Sequence, residues 1–163
     1  MKNWFNSVGT AVLLSCIIGW AATACGKKPS TPATRGEDPE VKTRGTVELT
    51  VQLAELPEGL AAGKPGPYAT VFRYKVMRPH RGQISSDTIY VAHYNPLKPR
   101  SQASDDKVKG IGGNLKEFRA RALHRIALEV PLENFYTGQL INQYTTRNTG
   151  PLYWAVWTNE ATD

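Results

Sequence analysis

Between Val47 and Leu53 apolar and polar residues alternate without a break. Val47, Leu49, Val51 and Leu53 fall on one side of an extended chain, and Glu48, Thr50 and Gln52 on the other. A period of two marks a half-buried strand, and comparable short segments recur downstream. Tyr68–Met77 is rich in β-branched and aromatic residues, and Thr88–Tyr94 sets Ile89, Val91 and His93 against Thr88, Tyr90 and Ala92. Both read as strands. Pro57 to Pro67 carries three prolines and three glycines and reads as a loop. Arg78–Gly82 reads as a turn, because Pro79 lacks a ladder donor and Gly82 admits special backbone angles. The second and third strands are therefore expected to pair as a hairpin.

Asn95-Pro96 ends the third strand, and a long polar excursion runs to Gly113. Asn114–Phe118 suits one helical turn. Ile126, Leu128, Val130 and Leu132 alternate as a strand, while Leu123, Ile126, Ala127 and Val130 also fit one face of a helix. From Leu132 to Thr146 the spacing of Phe135, Tyr136, Leu140, Ile141 and Tyr144 suits a short helix or a packed loop, and Leu152–Trp157 is an aromatic strand. Five short strands with one long central connection predict a mainly β fold. The expected form is a small five-stranded antiparallel barrel of OB type with short helical segments.

The N-terminal part is organised differently. Lys2 is followed by a run from Val8 to Ala24 without a charged residue, and small residues precede Cys25. That is the layout of a secretory signal peptide. Ala22-Thr23-Ala24-Cys25 resembles the bacterial lipobox read by signal peptidase II, which implies that Cys25 becomes the diacylated first residue of the mature chain. Leu13-Leu14-Ser15-Cys16 fits the same pattern, but cleavage there leaves Ile17, Ile18 and Trp20 at the mature start. An uncleaved membrane anchor is the alternative, since the run approaches the ~18 residues of a spanning helix. Both readings place the body outside the cytoplasm. The resemblance further implies, from Gly26 after the cysteine, sorting to the outer membrane, facing the periplasm or the cell surface.

Gly26 to Gly45 has no apolar periodicity and recurring prolines, the composition of a tether. The expected organisation is a signal peptide over 1–24, a tether over 25–45 and one β-barrel domain over 46–163. Cys16 and Cys25 are the only cysteines. The body therefore has no disulfide and no thiolate for a metal site or a nucleophile.

Two further resemblances bear on the body. Tyr74-Lys75-Val76, the turn at Gly82 and Ile89-Tyr90-Val91 are similar to the hairpin of the netrin-like, tissue-inhibitor-of-metalloprotease-like OB domains, although the disulfide cysteines of the animal members are missing. This implies the barrel and no inhibitory function. The stretches Tyr90–Pro96, Lys109–Leu115 and Tyr153–Trp157 resemble a group of uncharacterised bacterial envelope lipoproteins. That likeness implies a place beside exopolysaccharide modification or export.

Charge supplies the remaining clue. The chain carries 20 basic and 14 acidic residues, and eight of the basic ones lie between Lys98 and Arg125 against Asp105, Asp106 and Glu117. A localised positive field attracts anions. In the envelope these are acidic polysaccharide, phosphate or lipid head groups rather than nucleic acid. Lys109, Lys116, Arg119, Arg121 and Arg125 are the candidate anion-binding residues, against the plain alternative of a solvated loop. Tyr153 and Trp157 are candidate stacking surfaces for sugar rings, against the alternative that they fill the core. Strict alternation puts Trp157 with Tyr153 and Ala155, and Trp154 with Leu152 and Val156.

Gly110-Ile111-Gly112-Gly113-Asn114 suits close backbone packing better than a phosphate cradle, since it lacks the lysine and hydroxyl residue of a nucleotide loop. The three histidines, His80, His93 and His124, have no ligand-pair spacing, so no metal site is expected. No catalytic residue and no cofactor are indicated. The expected function is a non-enzymatic binding or assembly module for an anionic exopolysaccharide or its modification machinery. The alternatives are an accessory hydrolase or transferase using His93 or His124, and a purely structural envelope protein.

Overall fold

The computed structural model describes residues 44–60, 63 and 65–162, all within one compact unit. The signal segment 1–24, Cys25 and the tether through residue 43 lie outside the described residues.

Six strands form one sheet: β1 (Val47–Leu53), β2 (Ala69–Arg81), β3 (Thr88–Tyr94), β4 (Leu123–Glu129), β5 (Leu140–Ile141) and β6 (Leu152–Glu160). Their order is β1-β4-β6-β3-β2, and a further β1–β2 pairing closes a five-stranded barrel, with β5 attached beside β2. The OB-like barrel expected from the strand pattern is present. Its pairings are antiparallel except for β3 with β6, which run parallel with Tyr90 opposite Leu152 and Ala92 opposite Trp154. Parity explains this. Strand directions cannot alternate all the way round a closed ring of five, so one neighbouring pair must be parallel and the barrel is mixed.

The hairpin of β2 and β3 forms as expected, with Tyr74 opposite Ile89. β2 does not stop at Met77, however; it runs through Pro79 to Arg81. Two register shifts against β1 leave Met77 and His80 as extra residues on β2. Such bulges bend a strand and tolerate a missing donor. The bend lets the first half of β2 pair with β3 and the second half with β1.

β4 is a strand and not the helical alternative, and it starts at Leu123. No helical turn forms at 114–118. Short 3-10 turns lie instead at Arg100–Gln102 and Leu132–Asn134.

The barrel interior is filled by Leu49, Val51 and Leu53 from β1, Phe72 and Tyr74 from β2, Ile89 and Val91 from β3, and Ile126 and Leu128 from β4. Each such side chain contributes about 1.5–3 kcal/mol by leaving water. One end of the barrel, where Leu53, Leu123 and Glu160 lie, is closed by Leu115 and Phe118 from the β3–β4 connection. Backbone bonds pin that plug, Arg100 N to Leu115 O at 2.9 Å and Leu115 N to Thr158 O at 3.3 Å.

A second apolar cluster covers the outside of β2 and β3. Ala69, Val71, Ala92 and Tyr94 lie there under Ala103, Ile111, Leu132 and Tyr144, which come from the β3–β4 and β4–β6 connections. Trp154 belongs to this outer layer, and Tyr136 stacks on it at 5.0 Å.

Candidate functional site

Three of the five candidate anion-binding residues meet at the plugged end. Lys116, Arg119 and Arg121 line an open cleft of about 540 Å³ together with Glu117 and Glu160. The plug presents them: Leu115 and Phe118 point into the core, so the residues around them point out to solvent. Arg119 is engaged with Glu117 through an exposed ion pair, an interaction of little energetic weight in water. Among the described residues Lys116 and Arg121 have no side-chain partner.

Arg121 also has an unusual backbone. It sits at φ 66, a left-handed conformation that costs a non-glycine residue about 1–2 kcal/mol. Its N–H donates to Leu53 O at 2.7 Å and its carbonyl accepts from Gln52 Nε2 at 3.1 Å. The end of β1 therefore holds this strained arginine at the rim of the cleft.

The other two candidates lie elsewhere. Lys109 is exposed but does not line this cleft. Arg125 lies on the outer face of β4 and is buried, donating from Nε and Nη2 to Glu48 Oε1 at 2.9 and 2.6 Å. Arg81 adds a second cation 3.6 Å from the other oxygen of Glu48. The Arg125 guanidinium is thus consumed by a structural ion pair. Arg100, counted in the same basic stretch, is buried as well. It donates to the carbonyls of Tyr94, Asn95 and Lys98, and its guanidinium carbon lies 5.3 Å from the Phe118 ring centre. Its desolvation lowers its pKa to about 10. Two of the eight charges in the basic stretch therefore belong to the framework.

Trp157 is 3% exposed and offers no stacking surface. It is buried on the outer side of the sheet, beside the Gly112 segment that bridges to it, and a bulge puts it on that side. β6 shifts register where Leu128 faces Ala155 but Ala127 faces Trp157, so the alternation breaks at Val156. Trp157 leaves the inward side of Ala155 and lies opposite outward-facing Ala127, while Thr158 turns inward to His93. Tyr153 is half-buried and lines a separate cleft at the other end of β6. Arg147 shares that cleft. No sequence signal pointed to it, because it is a single loop cation brought to Ser85 and Tyr153 only by the fold.

His93 and His124 are both fully buried inside the barrel. His93 sits edge-on to Phe72 and Phe118, with Nε2 3.1 Å from Tyr74 Oη and Nδ1 3.4 Å from Thr158 Oγ1. His124 packs against Tyr74 and Phe118, and neither ring nitrogen has a partner. Desolvation pushes the His124 pKa down to about 4, and desolvation, then Arg100 and His124, lowers that of His93 well below 6.5. Both rings are neutral near pH 7.

The glycine run performs close packing. Gly112 N donates to Val156 O at 2.9 Å and Gly112 O accepts from Thr158 N at 3.0 Å. Gly113, at φ +125, lies so near Thr158 that a Cβ would sit 2.0 Å from its carbonyl oxygen. No group of three or more metal-ligating side chains occurs among the described residues.

Comparison with protein-family models, with curated proteins and with solved structures finds no match.

Proposed function

We propose that this protein is a non-enzymatic binding module of the bacterial envelope, anchored through a lipid on Cys25, that holds an anionic polysaccharide at the plugged end of its barrel. The observation that carries the reading is the convergence of Lys116, Arg119 and Arg121 on one open cleft. Two of these cations are uncommitted, and one is held there in a strained backbone. A concave positive site concentrates an anionic polymer and speeds its encounter.

The route along the side of the barrel is less favourable here. OB-type barrels bind oligosaccharides and oligonucleotides across the face of their second and third strands. In this chain that face lies under the second apolar cluster, which turns attention to the barrel ends. The burial of His93 and His124 against aromatic rings weighs for binding over acid–base catalysis.

The test is retention of the full-length protein, kept in non-ionic detergent, on an immobilised polyuronate. Wild-type protein should elute only with added salt. The triple substitution Lys116→Ala, Arg119→Ala, Arg121→Ala should elute at clearly lower salt, and unchanged elution would sink the assignment. Arg125 is left intact, because removing it takes both short hydrogen bonds from the buried Glu48 carboxylate.

A further inference from the structure

The cleft at the other end of β6 holds about 260 Å³ and is lined by Ser85 and Ser86 from the β2–β3 turn, Tyr90 of β3, Arg147 and Thr149 from the loop before β6, and Tyr153. Both walls are fixed. Ser86 Oγ accepts from Thr88 N at 3.2 Å and donates to Thr88 O at 2.8 Å, which ties down the turn. The opposite loop is tied to Tyr144, whose carbonyl accepts from the N–H groups of Arg147 and Asn148, both at 2.9 Å. Tyr144 is itself buried, with its ring 5.3 Å from that of Tyr90.

Inside these walls the functional groups are uncommitted. The Arg147 side chain is exposed and has no partner among the described residues, and the Tyr153 hydroxyl has none either. The Tyr153 ring is half-buried at the barrel mouth, and desolvation raises its pKa. A guanidinium suits a carboxylate because its N–H groups match the two oxygens. An aromatic face suits the apolar face of a sugar ring, and hydroxyl groups suit sugar hydroxyls.

We infer that this cleft binds one carboxylate-bearing sugar residue, with Arg147 on the carboxylate and Tyr153 against the ring, and Ser85 and Thr149 on its hydroxyls. The inference rests on the reading of an acidic polysaccharide as ligand. It makes the protein two-sited, with a non-selective positive cleft at one end and a single-residue pocket at the other. The pocket's size admits one ring and excludes a folded stretch of polymer.

The experiment is an NMR titration of the full-length protein in detergent with glucuronate, glucose and inorganic phosphate. Glucuronate should shift the Tyr153 and Arg147 signals, with glucose at least about tenfold weaker for want of the charge. Phosphate should not reproduce the Tyr153 shift. Arg147→Gln, an exposed loop change that leaves the core intact, should weaken glucuronate at least about tenfold, as should Tyr153→Leu. Equal binding of glucose and glucuronate overturns the inference, as does displacement of glucuronate by phosphate at equal concentration, or an Arg147→Gln protein that binds as wild type. Should the polyuronate column fail while these shifts appear, the pocket stands and the polymer cleft falls. Polymer retention without the shifts removes the pocket alone.

Discussion

At the scale of single residues, Arg121 separates function from stability. Most surface arginines sit in unstrained backbone, so losing one changes charge and little else. Arg121 occupies φ 66 at the rim of the cleft, where glycine would be relaxed. The variant Arg121→Gly should therefore melt at the same temperature as wild type or a few degrees higher, a gain of about 1 kcal/mol. Its elution from a polyuronate column should nevertheless move to lower salt. A variant that is clearly less stable would show that the Arg121 side chain, rather than its site, supports the fold.

At the scale of elements, the β3–β4 connection does what a capping helix does in other barrels, without being one. Leu115 and Phe118 close the interior, and the strand-like contact of Gly112 with β6 fixes where they enter. Gly113 is the tightest point, because a methyl group there meets the Thr158 carbonyl at 2.0 Å in a backbone conformation already unfavourable to side chains. Gly113→Ala should cost about 2–5 kcal/mol and lower the melting temperature by about 10 °C or more. Gly112→Ala is the matched control, since nothing lies within 4 Å of its Cβ position, and it should change stability by less than about 0.5 kcal/mol. Equal melting temperatures for the two variants would mean that the plug adjusts freely.

At the scale of the whole molecule, two neutral histidines in the barrel interior couple the fold to pH. In the unfolded chain each takes up a proton near 6.5, whereas in the folded protein His124 does so only near 4 and burial holds His93 well below 6.5. The unfolded state therefore binds more protons between these values. Stability is full above about pH 6.5 and falls as pH drops toward 4. For His124 alone the loss between pH 7.5 and 4.5 is about 2–3 kcal/mol. Thermal melts should show a steep fall over that interval, and His124→Phe, which keeps a ring against Tyr74 and Phe118, should flatten it. A melting temperature independent of pH in the wild type would contradict the burial of both rings.

Local pattern alone determined β1, β3, the β2–β3 hairpin and the mainly β class, because alternation and turn residues are properties of neighbours along the chain. Val47–Leu53 and Thr88–Tyr94 formed as read, and His93 turned inward as its alternation with Ile89 and Val91 required. The basic stretch was legible as charge, yet which charges are available was not. Arg125 and Arg100 are buried by partners on β1 and on the backbone after β3, and no local rule distinguishes them from Arg119 or Arg121. Trp157 changed sides through one inserted residue at Val156, since a bulge reverses every later side chain while barely altering composition. The parallel pair came from closing an odd ring. The pocket around Arg147 and Tyr153 came from bringing together two loops some sixty residues apart. Those features belong to tertiary structure, because ring closure, register and the meeting of distant loops are relations between segments that no single segment carries.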